Sequence, residues 1–431
     1  MRGGQRGLIE SLPNHWSIRN IGDVCKIFGR IGFRGYTVND IVDEGQGAIS
    51  LSPSNIQNSE LRLEKITFIS WEKWEESPEI KIENGDIILV KTGSTVGKAA
   101  IVKGLHSPAT LNPQLVVLKK RRIDEQFLGY VVLSNAFQRQ LAATVVGGAL
   151  PTLSQKEVAA YTFACPDRRD EQEAIATALK DIDDLIASLD ALIAKKRDIK
   201  QAAMQQLLTG KTRLPGFEIK SEDLFETAVG TIPSDWSVVR VRDGLAASPC
   251  YGINAPSVPF SFSLPTYLRI TDIDDDGHLN ADSLTSVNHP ASDQYELEVG
   301  DIVIARTGAS TGKAYLHNNP ALRFVYAGFL IRLRPNTSVL LPAFLSAVLR
   351  TSRYWAWIRE VSQRSGQPGV NAQQLSGFLI PLPSPEEQSE IVSVLESMDA
   401  EILALDEKLQ KFAAMKDGMM QQLLTGRIRL V

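Results

Sequence analysis

Cysteine and histidine are scarce in this 431-residue chain, and their positions argue against the common sites built from them. The three cysteines, Cys25, Cys165 and Cys250, are scattered and form no Cys-x-x-Cys pair. This pattern fits a reducing cytoplasm and argues against both a disulfide framework and a zinc site. The five histidines show neither HxxxH nor HExxH spacing. We therefore predict a cytoplasmic protein without a resident metal.

Long apolar runs are also missing. No stretch of about 18 uninterrupted apolar residues occurs, so the sequence predicts no membrane span. The first residues, MRGGQRGLIESLP, lack the apolar segment of a secretory signal. With 43% hydrophobic and 22% charged residues, the composition is typical of a globular protein, and the length indicates several domains.

The chain has no standard nucleotide-binding loop, although two glycine-lysine turns resemble one. A P-loop has four residues between its glycines and Ser or Thr after the lysine. The turns that end at Lys98 and Lys313 have three residues between their glycines, and an alanine, Ala99 or Ala314, follows the lysine. The position two residues before Lys91 carries no carboxylate, as a nuclease centre would need. We therefore predict no catalytic residue and no cofactor, and an ATPase is the weakest interpretation that we consider.

Net charge gives little guidance about partners. The formal charge of −4 by itself counts against nucleic-acid binding, because phosphate contacts need Lys and Arg. The acidic excess lies mainly in residues 216–231 and 384–431, whereas residues 1–165 are slightly basic. The charge distribution permits DNA binding without supporting it.

The most informative feature is an internal repeat with an offset of about 216 residues. Four blocks recur in the same order: Leu12-Pro-Asn-His-Trp as Ile232-Pro-Ser-Asp-Trp, Gly85-Asp-Ile-Ile-Leu-Val-Lys-Thr-Gly as Gly300-Asp-Ile-Val-Ile-Ala-Arg-Thr-Gly, Glu171-Gln172 as Glu387-Gln388, and Met204-Gln-Gln-Leu-Leu-Thr-Gly as Met420-Gln-Gln-Leu-Leu-Thr-Gly. The chain therefore consists of two kinds of segment, A and B, each of which occurs twice in the order A-B-A′-B′. We assign a first domain to 1–165, a helix to 166–215, an acidic linker with a second domain to 216–383, and a second helix to 384–431.

Each B segment carries a heptad pattern that predicts a long helix, because apolar residues recur at alternating steps of four and three. Gly210 and Pro215 follow the first helix where a helix end is expected. We expect the two helices to pair antiparallel; packing of each helix on its own domain is the alternative. The candidate pairing residues are Ile182, Ile186, Leu189 and Ile193, expected to face Met398, Ile402, Leu405 and Leu409.

Each A segment is predicted to mix strands and helices, which gives an α+β fold class. Asp86–Lys91 and Asp301–Arg306 are β-branched runs closed by Thr-Gly, a pattern that indicates a strand followed by a turn. A helix near Glu125–Leu141 is matched by one near Pro342–Val361. The acidic residues Asp272 and Asp274 to Asp276 lack counterparts in the first copy, and we interpret them as a solvated turn rather than a metal site.

The glycine-lysine turns have two interpretations. A tight turn needs glycine for positive φ, and this structural role alone accounts for the glycines. Alternatively, the turns also present side chains to DNA phosphates or base edges. The candidates at the turns are Lys91, Thr92, Lys98, Arg306, Thr307 and Lys313. Weaker candidates are Lys119, Arg121 and Arg122, for which a solvated turn is equally plausible, and Arg364, in a loop that parallels Gly147–Pro151.

Taken together, these features resemble the specificity subunits of type I restriction–modification enzymes. The resemblance covers essentially the whole chain, and its strongest element is the doubled Gln-Gln-Leu-Leu-Thr-Gly followed by a basic residue. It implies that each A segment is a target recognition domain and that the B helices form an antiparallel coiled-coil spacer. It also implies a non-catalytic chain with pseudo-twofold internal symmetry that binds double-stranded DNA. The implied partners are two DNA-adenine methyltransferase subunits and ATP-dependent motor–nuclease subunits.

Two similar but non-identical domains imply two different half-sites in the DNA. Residues 17–80 and 237–295 show little likeness, so we expect each domain to read its own half of an asymmetric site. Half-sites about one helical turn apart, roughly 34 Å, lie on the same face of the duplex. A scaffold protein, whose coiled coil joins two β-rich interaction modules, is the main alternative and predicts no salt-dependent DNA affinity.

Overall fold

The structure, a computed structural model, describes residues 12–144, 151–218, 224–362 and 368–430. Contacts divide the chain into two compact units. Unit 1 comprises residues 1–191 and 407–431, and unit 2 comprises residues 192–406. Each unit thus combines one A segment with parts of both long helices, whereas the domain boundaries predicted from sequence follow the order of the chain.

Unit 1 is built on two four-stranded sheets. Its strands are β1 (Trp16–Asn20), β2 (Lys26–Gly29), β3 (Ile41–Val42), β4 (Gly47–Leu51), β5 (Ile56–Gln57), β6 (Glu60–Leu61), β7 (Phe68–Ser70), β8 (Ile87–Val90), β9 (Ala99–Ile101), β10 (Ala109–Leu111), β11 (Leu115–Lys119) and β12 (Thr162–Pro166). One sheet has the order β2-β11-β8-β9 and the other β10-β4-β7-β3. Strand β8 and nearly all of β11 are buried, as expected for continuous apolar runs covered on both faces.

The helices of unit 1 pack against both sheets, since Trp71–Glu75 contacts β4 and β7 of the second sheet and Glu125–Leu133 contacts β9 of the first. They are α1 (Ile21–Val24), α2 (Trp71–Glu75), α3 (Glu125–Leu133), α4 (Asn135–Thr144), α5 (Gln155–Ala160) and the long α6 (Arg169–Leu207), which continues into unit 2. The predicted helix near 125–141 is two helices. Ser134 adopts extended backbone between them, and its hydroxyl donates to Val131 O while it accepts from Phe137 N. This local bonding ends one helix and begins the next.

Unit 2 repeats the same plan. Its strands are β13 (Leu224–Thr227), β14 (Gly230–Pro233), β15 (Ser237–Arg240), β16 (Leu245–Tyr251), β17 (Ser257–Pro259), β18 (Thr266–Leu268), β19 (Thr285–Val287), β20 (Ile302–Ala305), β21 (Ala314–Leu316), β22 (Phe324–Tyr326), β23 (Leu330–Pro335) and β24 (Leu379–Leu382). Its helices are α7 (Pro342–Val348), α8 (Ser352–Ser362), α9 (Ala372–Gly377) and α10 (Pro385–Leu423), the last of which continues into unit 1.

The strand orders of unit 2, β16-β23-β20-β21 and β17-β19-β18-β22, reproduce those of unit 1. Each second sheet contains one parallel pair, β4 with β10 and β18 with β22. Residues 17–80 and 237–295, which share little sequence, therefore form the same topology. Backbone pairing is preserved where side chains have diverged.

The long helices run antiparallel within each unit. In unit 2, Lys196 Nζ lies 2.6 Å from Glu401, and Lys200 pairs with Asp399. In unit 1, Lys416 Nζ lies 2.6 Å from Asp183. Residue numbers therefore rise along one helix as they fall along the other.

Burial along the helices follows the heptad pattern. Of the candidate pairing residues, Ile182, Leu189, Ile193 and Ile402 are buried, and Ile186, Met398, Leu405 and Leu409 are partly buried. We expected residues 182–193 to face residues 398–409. This register is wrong for Ile182, because the neighbouring Asp183 lies beside Lys416. The heptad pattern predicts which face is buried, and the ion pairs beside the seam show the register.

Three of the repeated blocks meet at one place in each unit, which we call the Arg–Glu–Trp joint. In unit 2, Arg213 donates to both oxygens of Glu387 at 2.5 and 2.8 Å, and Trp236 Nε1 donates to Glu387 at 2.9 Å. Arg213 also donates to both oxygens of Asp235 at 2.9 and 2.8 Å. The arginine follows Gln-Gln-Leu-Leu-Thr-Gly, and the tryptophan closes the Ile-Pro-Ser-Asp-Trp block.

The equivalent joint of unit 1 consists of Arg429, Glu171 and Trp16. Arg429 donates to both carboxylate oxygens of Glu171 at 2.8 Å, and Trp16 Nε1 donates to the same carboxylate at 3.2 Å. The hydrogen bonds from Arg429 lower the pKa of Glu171. The joint ties the start of α6 to the segment that comes after α10.

The glycine of each Gln-Gln-Leu-Leu-Thr-Gly block is required by both backbone and packing. Gly210 and Gly426 have φ of +69° and +73°. A Cβ on Gly210 would lie 2.5 Å from Pro233, and one on Gly426 would lie 2.7 Å from Pro13. The glycine therefore ends the helix in the left-handed conformation and lets the chain pack on the proline.

Candidate DNA interface

The two glycine-lysine turns are hairpins, as the sequence predicted. Strands β8 and β9 pair antiparallel on either side of residues 91–98, and β20 and β21 do so around residues 306–313. The four glycines of the turns have positive φ. They are Gly93 at +111°, Gly97 at +96°, Gly308 at +74° and Gly312 at +94°. These conformations account for the glycines structurally.

Each turn is bonded to the loop that precedes a short helix. In unit 1, Gly93 N donates to Pro151 O at 3.0 Å, and Leu153 N donates to Lys91 O at 2.7 Å. In unit 2, Gly308 N donates to Pro368 O at 3.1 Å, and Val370 N donates to Arg306 O at 2.9 Å. The described ends of both loops therefore lie against the turns. Arg364, which was also a candidate, and residues 147–150 of the loop that it parallels lie outside the described residues.

The basic residues of the unit 1 turn differ in accessibility. Lys98 is exposed, and no carboxylate among the described residues pairs with it. Lys91 is partly buried, and its backbone is held by Gln114 O at 2.8 Å. Thr92 forms an isolated β-bridge with Thr152. Lys98 is thus the cation that the turn presents most openly.

The basic residues of the unit 2 turn contact neighbouring side chains. The Arg306 guanidinium lies 4.8 Å from the ring centroid of Tyr251, in a cation–π contact. Lys313 Nζ lies 2.7 Å from Asp275, a carboxylate that is 93% exposed. Thr307 forms an isolated β-bridge with Gly369. Solvent screens the exposed ion pair, so Lys313 is only weakly held.

The acidic run near Lys313 is not uniformly the solvated turn that its sequence indicated. Asp272 is completely buried, and both of its oxygens accept hydrogen bonds from Arg269, at 2.7 and 3.0 Å. Asp274, Asp275 and Asp276 are exposed. Asp272 therefore supports the loop, and the other acids face solvent.

Lys119 and Arg121 are held inside unit 1. Lys119 Nζ lies 2.8 Å from the buried Asp86, and Arg121 lies 3.2 Å from Asp86 and 2.8 Å from Glu125. Both cations are paired with carboxylates of their own domain, which favours a structural role over a phosphate contact. Arg122, in contrast, is exposed and has no ion pair among the described residues.

Unit 2 has the same internal ion pair. Arg334 donates to both oxygens of Asp301 at 2.8 Å, and Asp301 is the counterpart of Asp86 in the repeat. The Gly-Asp pair that precedes each turn therefore anchors the basic end of the neighbouring strand. The signal was present in the sequence, because Lys119 and Arg334 share the offset of the two aspartates.

Sequence reasoning also missed the side chains that flank the turns. Gln114 directly precedes β11, Phe329 directly precedes β23, and Tyr251 ends β16. All three are exposed. They differ from the residues at the equivalent positions of the other unit, so no repeated pattern drew attention to them.

Two kinds of site are not found in the described part of the chain. No group of three His, Cys, Asp or Glu side chains there is arranged to hold a metal ion. None of the helices within the described ranges has both the length and the apolarity that crossing a bilayer requires.

Comparison with known proteins places these features in a family. The sequence model for the type I restriction modification DNA specificity domain matches residues 13–195 and 267–411, which together make up more than two thirds of the chain. The type I restriction enzyme MjaVIII specificity subunit of Methanocaldococcus jannaschii is 25% identical over 211 residues. That match covers 48% of this chain and 48% of the relative, so it spans about half of the relative's length.

Solved structures show the same fold. A chain from a study of complex assembly and conformational transition of the type I R-M system has a TM-score of 0.59 at 19% identity, covering 97% of this chain and 100% of that one. The S subunit of a type I restriction–modification system from M. genitalium has a TM-score of 0.55 at 16% identity, with coverages of 96% and 98%. With its doubled fold and repeated blocks, the chain belongs to the family of type I restriction–modification DNA specificity proteins.

Proposed function

We propose that this chain is the non-catalytic specificity subunit of a type I restriction–modification system. It binds double-stranded DNA at a bipartite, asymmetric site and directs methyltransferase and restriction subunits to that site. The observation that carries the proposal is the repeat itself. The same sheet order presents the same glycine turn twice, with a basic residue at equivalent places, while the side chains around the two turns differ.

Each unit contributes one target recognition domain in this proposal. The turn cations and hydroxyls, Lys91, Thr92, Lys98, Arg306, Thr307 and Lys313, contact phosphates or base edges. Arg122 adds a further exposed cation in unit 1. Phosphate contacts supply sequence-independent affinity, whereas contacts with base edges supply the sequence preference.

The long helices α6 and α10 act as an antiparallel coiled-coil spacer in the same proposal. The ion pairs between them and the burial of their heptad positions support pairing. A rigid spacer fixes the distance between half-sites at a smaller entropic cost than a flexible linker. The proposed place of action is the cytoplasm, where the chromosome is accessible to the assembled enzyme.

The decisive experiment is to map methylated DNA motifs in a host that carries the complete system. Exchanging residues 17–150 for the equivalent segment of a relative should change one half of the motif and leave the other half intact. The unmodified chain is the control. A motif that changed in both halves would contradict independent recognition domains, and a scaffold protein would give neither a motif nor salt-dependent DNA affinity.

The spacer is tested separately by inserting four residues into α6. The insertion lengthens the helix by about 6 Å and rotates its C-terminal part relative to its N-terminal part, since an α-helix rises 1.5 Å per residue with 3.6 residues per turn. The unread gap in the motif should change, or methylation should be lost. An unchanged gap with full methylation would contradict the role of the helices as a spacer.

A further inference from the structure

Positions 114 and 329 are equivalent places in the two units, yet they carry unlike side chains. Each directly precedes an inner strand of a four-stranded sheet, β11 or β23. Each carbonyl accepts a hydrogen bond from the basic residue that opens the turn, Lys91 N to Gln114 O at 2.8 Å and Arg306 N to Phe329 O at 3.0 Å. Both side chains are exposed. The same scaffold therefore presents an amide in one unit and an aromatic ring in the other.

The backbone of Gln114 is anchored, whereas its carboxamide makes no hydrogen bond with any described residue. Its backbone N–H donates to Asn112 Oδ1 at 2.8 Å, and Asn112 Nδ2 donates to Tyr36 Oη at 3.2 Å, which fixes the loop. Gln114 Nε2 lies over the turn, 3.5 Å from where a Cβ on Gly93 would be. An exposed side-chain amide on an anchored backbone, without a partner of its own, keeps a donor and an acceptor available for a ligand.

Phe329 lies in a different chemical setting. It is 55% exposed, although Leu330 beside it is completely buried. The neighbouring Arg306 is fixed by its contact with Tyr251, whose hydroxyl accepts a hydrogen bond from Ala372 N at 3.1 Å. Phe329 is thus bonded through its backbone to the residue whose guanidinium Tyr251 orients. This arrangement offers an apolar contact together with a cation.

We propose that Gln114 and Phe329 are specificity-determining residues, one for each half-site. The Gln114 carboxamide pairs with the N6 and N7 edge of an adenine in the major groove, and the Phe329 ring packs against the methyl group of a thymine. These are the base-edge partners that suit an amide and an apolar side chain. The inference rests on the proposed function and names the residues that make the two half-sites different.

The test uses the full chain assembled with its methyltransferase subunits and a library of randomised DNA duplexes, from which bound sequences are selected and read. Gln114→Ala should lose the preference for adenine at one position of one half-site, by about 5- to 150-fold. Gln114→Glu should move that preference toward cytosine, because a carboxylate accepts from the cytosine amino group. Phe329→Ala should weaken the thymine preference in the other half-site about fourfold, the value of one methyl-sized contact.

Two control variants sit away from the turns. Gln57→Ala removes an exposed amide from the short β5–β6 hairpin of unit 1. Val299→Ala removes an exposed apolar side chain at the opposite end of β20 from Arg306. Both complexes should select the unaltered motif.

The possible outcomes separate the inference from the proposed function. A wild-type complex that selects no motif would contradict the proposed function. A wild-type complex with a motif, together with Gln114→Ala and Phe329→Ala complexes that select the same motif, would overturn the inference alone. If either alanine variant fails to bind DNA, Gln114→Glu and Phe329→Leu decide, and an unchanged base preference in both overturns the inference.

Discussion

Unit 1 and unit 2 share their strand orders, glycine turns and Arg–Glu–Trp joint, but they differ in how tightly cations are held. Lys98 is exposed and unpaired among the described residues, whereas its counterpart Lys313 pairs with Asp275. Lys91 has no aromatic partner among those residues, whereas Arg306 lies over Tyr251. The comparison shows that the repeat preserves the basic residues of the turns and varies the side chains that contact them, Asp275 and Tyr251.

The Arg–Glu–Trp joints differ in the same way, because the arginine of unit 2 is held more tightly than that of unit 1. The Arg213 side chain is 6% exposed and binds two carboxylates, Glu387 and Asp235, whereas the Arg429 side chain is 27% exposed and binds one carboxylate, Glu171, and the carbonyl of Asn14. The counterpart of Asp235 in the first copy is His15, which is exposed. The joint of unit 2 is therefore the more buried and the more highly charged.

Removing the arginine of each joint should give the largest difference between the units. Arg213→Met leaves two carboxylates without their cationic partner, one of them buried, and should lower the free energy of unfolding by about 3–5 kcal/mol. Arg429→Met leaves a single carboxylate, the buried Glu171, without its arginine and should cost less, about 3 kcal/mol. Urea unfolding of the full chain measures both values. Arg62→Met removes an arginine from an exposed ion pair with Glu60 and is the control, which should change the free energy of unfolding little. Equal losses at the two joints would contradict the difference between the units.

Alanine in the second glycine of each turn should give the next largest difference. Gly97 and Gly312 both have positive φ, so each substitution should cost about 1–3 kcal/mol in backbone strain. A Cβ on Gly312 would also meet three atoms of Ile358 at 3.0 to 3.2 Å, whereas one on Gly97 meets the end of the Gln138 side chain. Gly312→Ala should therefore lower the Tm more than Gly97→Ala. A greater loss for Gly97→Ala would contradict this account of the packing.

The turn lysines should differ in their contribution to salt-dependent DNA binding. Lys98→Gln removes an open charge and should reduce the slope of log affinity against log salt by about 0.9 if the lysine contacts a phosphate. Lys313→Gln should reduce it less, because Asp275 already offsets the charge. The measurement is DNA titration of the complex with its methyltransferase subunits across a salt series. The base preference should be unchanged, and curves that superimpose on the wild type for both variants would leave the turns a purely structural role.

The smallest expected effect is a pH dependence of the unit 1 joint. The pKa of Glu171 is lowered below its ordinary value of 4.5 by Arg429. A lowered pKa in the folded state means that the stabilisation is complete above the ordinary value and is lost as pH falls through the lowered one. The difference in stability between the wild type and Arg429→Met should therefore be constant near neutral pH and shrink below about pH 4. Unfolding at several pH values measures it, and a gap that widened on acidification would show that the sign is wrong.

Sequence alone predicted the repeat, the two long helices and the hairpin turns, because each leaves a local pattern of heptads, β-branched runs or glycines. It did not predict what most repeated residues do. The ion pair of Lys119 with Asp86 joins adjacent strands, and that of Arg429 with Glu171 joins residues from opposite ends of the chain. Such contacts depend on strand pairing and helix register, which local patterns do not encode. The positions at which the copies differ, such as Gln114 and Phe329, required the structure.

The discontinuous composition of unit 1 has a consequence for biosynthesis. Its core includes Met420, Leu423 and Leu424, which pack with Ile175 and Leu179, and its joint is completed by Arg429. Unit 2 draws only on residues 192–406, so all of its segments leave the ribosome before the last part of unit 1 does. Although its strands are synthesised first, unit 1 cannot complete its core and joint until residues 407–431 have been made. Until then Ile175 and Leu179 lack their apolar partners from α10, and Glu171 lacks its arginine.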